Sequence, residues 1–106
     1  MFIYLHSLDA FYKMRGTGRI DVKLFTVPPL PDVKIPFSRV NHNKFMVTEK
    51  HAYIGTSNWS ADYFVNTGGV GFVANTTDTR NNIRTQLERV FTRDWFSIYA
   101  TFLHNN

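Results

Sequence analysis

The sequence predicts an α/β fold, a sandwich in which a mixed β-sheet is flanked by helices. Two kinds of hydrophobic pattern indicate this. Apolar residues recur every three or four positions near both ends of the chain, as in amphipathic helices. Between them lie short runs rich in β-branched and aromatic residues, as in strands. The 106 residues are 43% hydrophobic and 16% aromatic, so we expect one packed domain rather than a disordered segment.

The predicted elements follow one another along the chain. A first helix is expected over 2–12 and ends before Gly16, and a second is expected over 83–98 with Asp78 or Thr79 as its cap. Prolines at positions 28, 29, 31 and 36 mark a loop that connects the first predicted strand to the second. Strands are predicted over four segments, 20–27, 40–47, 52–55 and 70–74, with a turn at 48–50.

The segment 40–60 contains the candidate functional site. In a strand, side chains two positions apart point the same way, about 6.5–7 Å from each other, so His42 and Lys44 should share a face. An imidazole beside an ammonium supplies a reactive group and a fixed positive charge, which phosphoryl transfer requires. We therefore expect His42 to react and Lys44 to bind phosphate.

Neighbouring residues extend this pattern. Gly55 is expected to permit a tight bend, after which Ser57 and Asn58 offer neutral hydrogen-bonding groups. Glu49 is expected to act from behind the reactive face, because a carboxylate facing the phosphate would repel it. Trp59 can stack on a nucleobase or pack in the core, and the sequence leaves both roles open.

The pattern also has a purely structural interpretation. His42 can be a half-buried histidine with its hydrogen bonds satisfied, and Lys44 can be a solvated lysine that protects an edge strand. A bare His-x-Lys would favour that interpretation. The acid five positions beyond the lysine and the Gly-Thr-Ser-Asn turn favour a site.

These residues resemble the HKD motif of the phospholipase D superfamily. From about Ile20 to about Tyr99, the chain is similar to the C-terminal part of the animal branch formed by phospholipase D family members 3 and 4. The resemblance implies one half of a phospholipase D-type fold and 5′-to-3′ exonuclease activity on single-stranded nucleic acid through a phosphohistidine, with phospholipid as the alternative substrate. It implies catalytic roles for His42, Lys44, Glu49 and Asn58, and substrate-binding roles for Gly55, Ser57 and Trp59.

Two departures from the superfamily pattern matter. Glu49 replaces the usual Asp, as it does in this branch. The superfamily also places two such motifs in one polypeptide, whereas this sequence has one His-x-Lys. Residues 1–106 are therefore expected to be a single partial domain that needs a second motif, from an N-terminal half or from a homodimer partner. The remaining alternatives are a phosphate-binding fragment without activity and a poorly soluble truncated product.

Composition restricts partners and location only weakly. The net charge of +4 suits a polyanion, and without cysteine no disulfide or thiolate site is possible. His51 and His104 lack ligand-like partners, so we expect no metal, and no cofactor is expected either. No signal or membrane anchor is visible in this chain, and Asn75-Thr76-Thr77 is a possible N-glycosylation site. The resemblance implies an endolysosomal or ER/Golgi lumen.

Overall fold

The computed structural model describes residues 15–103 except 17, 33, 34, 37 and 77, and it confirms the α/β class. The helix predicted over 2–12 lies outside the described residues. In chain order the elements are β1 (Lys23–Phe25), β2 (Phe45–Val47), β3 (His51–Gly55), α1 (Ala61–Val65), β4 (Gly71–Asn75), α2 (Ile83–Trp95) and β5 (Ala100–Phe102). They form a three-stranded sheet, β2-β3-β4, and a two-stranded sheet, β1-β5, and every pairing is antiparallel.

The three-stranded sheet carries the motif segment. Met46 pairs with Tyr53, which in turn pairs with Val73, so these three side chains share one face. The turn between β2 and β3 is closed by Thr48, whose backbone N–H donates to the His51 carbonyl (2.9 Å) and whose hydroxyl accepts from the His51 N–H (3.0 Å). Among the described hydrophobic residues only Ala52, on the other face, is fully buried.

Helix α2 packs on the sheet and begins with a capping box. The Asn82 side chain accepts from the Thr85 N–H, and the Thr85 hydroxyl accepts from the Asn82 N–H, both at 3.0 Å. The predicted cap at Asp78 or Thr79 is therefore wrong. Asp78 instead binds the backbone N–H (2.8 Å) and the guanidinium of Arg80, and that guanidinium lowers the pKa of the Asp78 carboxyl. Its carboxylate is thus occupied one turn before the helix starts.

Lys23 joins the small sheet to the end of α2. Its Nζ donates to the Trp95 carbonyl (2.7 Å) and lies 4.9 Å from the Trp95 ring centroid and 4.5 Å from that of Phe102. The Trp95 ring stacks on Phe91 and meets Phe102 edge to face. A cation at a helix C-terminus is favoured by the exposed carbonyls there, so one lysine both caps α2 and fixes β1 against it.

Strands β1 and β2 have three residues each and are shorter than predicted, whereas β3 and β4 match their predicted segments to within one residue at each end. The shortening of β2 matters most for the site. This strand starts at Phe45 rather than near residue 40. Before it, the Asn41 side chain accepts from the Asn43 N–H (3.2 Å), and the Lys44 Nζ donates to the His42 carbonyl (2.7 Å). Such local side-chain bonds compete with the ladder, so the motif histidine and lysine lie in a loop at the entrance to β2.

Two elements had no clear sequence signal, because α1 has five residues and β5 has three. Many large apolar side chains remain exposed, above all Ile98 (86%), Val65 (79%), Phe96 (77%), Val70 (77%) and Phe64 (72%). No helix within the described ranges is long and apolar enough to cross a membrane.

Candidate functional site

The motif loop is anchored on one side by the sheet. The backbone N–H of Gly55 donates to the Lys44 carbonyl (2.8 Å), which fixes Lys44 at the end of β3. The Lys44 ammonium turns back along the chain to the His42 carbonyl, while the His42 side chain stays exposed. The two residues are thus neighbours, as predicted, but through this hydrogen bond and not through the alternation of a strand.

His42 lies between two clefts. The first, of about 290 Å³, is lined by Lys44, Gly55 and apolar residues of β2, β3 and α2. The second, of about 220 Å³, is lined by Asn41 and Asn43 on the motif loop and by Arg93 and Asp94 at the end of α2. A ligand can therefore approach the imidazole from the sheet side or from the helix end.

A third cleft, of about 670 Å³, connects Lys44 with the turn that follows β3. Its walls include Asn58, Trp59 and Ser60 as well as Phe45, Val47 and Phe91. The Trp59 ring lies 5.9 Å from the Tyr53 ring, yet 51% of Trp59 stays exposed. Lys44 lines both this cleft and the 290 Å³ cleft, so five of the seven predicted site residues lie in adjoining clefts: His42, Lys44, Gly55, Asn58 and Trp59.

Gly55 serves a different purpose from the predicted bend. Positive φ angles among the described glycines occur at Gly16 and Gly18, and not at Gly55. A Cβ at Gly55 would instead overlap the Tyr53 ring, 2.7 Å from its Cζ, and one at Gly71 would lie 2.8 Å from its Cε2. The glycines leave space for this ring, while Gly55 also lines the 290 Å³ cleft with His42.

Ser57 and Glu49 lie away from this centre. Ser57 is half-buried with its hydroxyl against Gly69, and it lines none of the three clefts. Glu49 is exposed in the turn between β2 and β3, at the opposite end of β2 from His42. Within the described part of the chain, its carboxylate makes no hydrogen bond or ion pair. The structure therefore does not bring these two predicted residues to the His42 clefts.

Comparison with known proteins gives several close sequence relatives, although no family model matches. The chain is 51% identical over 104 residues to 5′-3′ exonuclease PLD3 of Xenopus laevis, covering 94% of the chain and 21% of that relative. It is 51% identical over 107 residues to 5′-3′ exonuclease PLD4 of Homo sapiens (97% and 21%). It is 51% identical over 89 residues to Probable phospholipase D F09G2.8 of Caenorhabditis elegans (84% and 15%).

This chain is a relative of the PLD3 and PLD4 members of the phospholipase D superfamily. The resemblance to this branch of the superfamily is thereby confirmed. The chain spans about a fifth of the length of these curated relatives.

One feature of the candidate site, the Arg93–Asp94 pair, has little signal in the sequence. For Arg93 the sequence allows a phosphate contact but favours a solvated helix face. The structure places the pair in the lining of the 220 Å³ cleft together with His42, which is 51 positions from Arg93 in sequence. The packing of α2 against the motif loop brings them together, and spacing along the chain does not reveal that packing.

Proposed function

We propose that this chain is the C-terminal, HKD-bearing part of a phospholipase D-superfamily phosphodiesterase that acts as a 5′-to-3′ exonuclease on single-stranded nucleic acid. One observation supports this most strongly: the Lys44 ammonium is held at the His42 main chain where two clefts meet. Both residues line the 290 Å³ cleft, where a ligand can reach them. The exonuclease names of the relatives indicate nucleic acid as the substrate class.

In the proposed reaction, an imidazole nitrogen attacks the phosphorus, and the bond from phosphorus to the leaving nucleoside oxygen breaks as a second imidazolium protonates that oxygen. Water then cleaves the phosphohistidine. The Lys44 ammonium would hold the non-bridging oxygens, whose charge develops in the transition state. Asn58 would add a neutral donor from the adjoining cleft. Either imidazole role suits His42.

The proposed site needs a second histidine. The sequence contains one His-x-Lys, so an N-terminal part of the same protein or a second copy of this chain would supply the other. Loss of positioned proton transfer commonly reduces a rate by about 10²–10⁴-fold. A monomer of this chain is therefore expected to be inert or nearly so.

Phospholipid is the second candidate substrate, and the 670 Å³ cleft favours it. The lining of this cleft is largely apolar and includes Lys44 beside Phe45, Val47, Trp59 and Phe91. An acyl chain and a phosphate would suit such a lining and such a charge. The relative named Probable phospholipase D agrees with this alternative.

Lumenal residence, in endolysosomes or the ER and Golgi, is part of the same proposal. The sequon residue Asn75 is exposed at the end of β4, so a glycan can be accommodated there. Peptide N-glycosidase treatment of the secretory-pathway product should increase its mobility on a gel. An unchanged mobility of both the wild type and Asn75→Gln would contradict glycosylation at this site.

Single-turnover hydrolysis tests the function. A 5′-labelled single-stranded oligonucleotide is incubated with wild type, His42→Ala and His51→Ala, and light scattering gives the oligomeric state. His51 is exposed on β3, away from the three clefts, and is the matched control. Activity that accompanies an assembly with two motifs and disappears only in His42→Ala supports the proposal. Full activity of His42→Ala in such an assembly overturns it, and cleavage of phosphatidylcholine vesicles in preference to the oligonucleotide supports the alternative substrate.

A further inference from the structure

We propose that Arg93 binds a second phosphate of the substrate, beside the one that His42 attacks. This rests on the proposed function, because it assigns a residue to the same substrate. The residue lies in the last turn of α2, outside the motif and its turn.

The 220 Å³ cleft supports the assignment by its position. Asn41, His42 and Asn43 line it from the motif loop, and Arg93 and Asp94 line it from the end of α2. Lys44 lines the 290 Å³ cleft together with His42 and does not line the 220 Å³ cleft. A strand that places its scissile phosphate at His42 and Lys44 can therefore continue past Arg93.

The chemistry of the guanidinium fits a phosphate. Its Nε and one terminal nitrogen both bind Asp94 Oδ1 at 2.8 Å. A guanidinium has five N–H donors, so three remain for a ligand. The Arg93 side chain is 71% exposed, whereas the Asp94 side chain is only 20% exposed and acts as the anchor. An arginine already oriented by a carboxylate loses less side-chain entropy when it binds a phosphate fork.

The competing explanation is that Arg93 only interacts with the dipole of α2. Arg80 provides an internal comparison, because it also pairs with a nearby aspartate, Asp78, at 2.6 Å. Its side chain is 88% exposed and lies before the start of α2, and it lines none of the three clefts. The Arg80–Asp78 and Arg93–Asp94 ion pairs are thus similar, but only Arg93 lines a cleft together with His42.

Fluorescence anisotropy of a labelled single-stranded oligonucleotide, measured over a range of salt concentrations, tests the assignment on the 106-residue chain. Arg93→Gln should weaken binding about two- to fivefold, the range for an exposed charge contact. It should also reduce the slope of log K against log salt by about 0.7, the value for one phosphate on a single strand. Arg80→Gln is the matched control and should change neither quantity beyond the general effect of one charge.

Asp94→Asn separates a phosphate contact from a structural lock. Asn keeps an oxygen that can accept from Arg93 and orient it, but it lacks the negative charge. If Arg93 binds phosphate, this variant should leave the affinity unchanged or raise it. If the ion pair only shapes the cleft, Asp94→Asn should weaken binding as much as Arg93→Gln does. That result, or equal effects of Arg93→Gln and Arg80→Gln, overturns the assignment. Arg93→Lys tests the site if the glutamine variant does not fold, because lysine keeps the charge but lacks the fork of N–H donors. If Arg93→Lys binds as tightly as the wild type and Arg80→Gln, the fork is not needed.

Lys44→Ala distinguishes this inference from the function on which it rests. If Lys44→Ala weakens binding and Arg93→Gln does not, only the Arg93 assignment fails. If Arg93→Gln weakens binding but Lys44→Ala and His42→Ala alter neither binding nor hydrolysis, the proposed function fails and Arg93 belongs to another anion site. A wild-type chain that binds no oligonucleotide overturns both.

Discussion

At the scale of single residues, the Tyr53 ring explains why β3 ends in glycine. The ring lies across Gly55 and Gly71, paired residues of β3 and β4, and leaves no space for a Cβ at either position. Gly55 also donates its N–H to Lys44, so any shift of this strand end moves the motif lysine. The glycine of the motif therefore supports the site through packing.

Gly55→Ala should destabilise the fold. The new methyl group must displace the Tyr53 ring, and overpacking of this kind typically costs about 1–3 kcal/mol. Urea unfolding followed by tryptophan fluorescence measures the change. Gly68→Ala is the matched control, because no atom lies within 4 Å of a Cβ at that glycine and its φ is not positive. Equal unfolding midpoints for the two variants would show that the ring yields freely.

The candidate site could be predicted only in part, for a reason visible at this scale. His42, Lys44 and Asn58 stand close to one another in sequence, and the structure brings them to adjoining clefts. Glu49 is equally close in sequence but lies beyond the turn of a hairpin. Arg93 is distant in sequence, yet it lines the same cleft as His42. Motif spacing identifies candidate site residues, whereas the positions of β2 and α2 in the fold determine which of them line the same cleft.

At the scale of elements, the body of α2 was predictable from sequence, whereas its two ends were not. Its apolar stripe predicted the helix, which ends at Trp95 rather than Ile98. The ends depend on single side chains: the Asn82–Thr85 capping box at the start, and Lys23 on the Trp95 carbonyl at the end. Hydrophobic periodicity identifies the body of a helix, but several polar residues before Ile83 are possible caps, so the start could not be chosen from sequence.

Asn82→Ala should destabilise α2 and with it the sheet on which it packs. The substitution removes the acceptor for the Thr85 N–H and the donor to the Asp78 carbonyl (2.8 Å). Loss of an N-cap typically costs about 1 kcal/mol. Thermal unfolding followed by circular dichroism measures it, with Asn81→Ala as the adjacent, exposed control. An Asn81→Ala effect as large as that of Asn82→Ala would contradict the assigned cap.

At the scale of the whole molecule, the described part of the chain has apolar faces that nothing in it covers. Ala52 is its one fully buried hydrophobic residue, while Phe96 and Ile98 at the end of α2 and Phe64 and Val65 in α1 are more than two-thirds exposed. A stable domain normally covers such surface, because each buried apolar side chain contributes about 1.5–3 kcal/mol. The proposed N-terminal part or a second copy would cover it.

The isolated chain should therefore associate with itself as its concentration rises. Exposed aromatic and aliphatic side chains lose unfavourable contact with water when two copies meet, and a net charge of +4 opposes this only weakly in physiological salt. Sedimentation velocity over a wide concentration range measures the association. The double variant Phe96→Ser, Ile98→Ser should weaken it, whereas Thr79→Ser, at an exposed polar position, should not. A chain that stays monomeric and fully soluble at every concentration would show that these faces need no partner, and the case for a partial domain would then rest on the single motif alone.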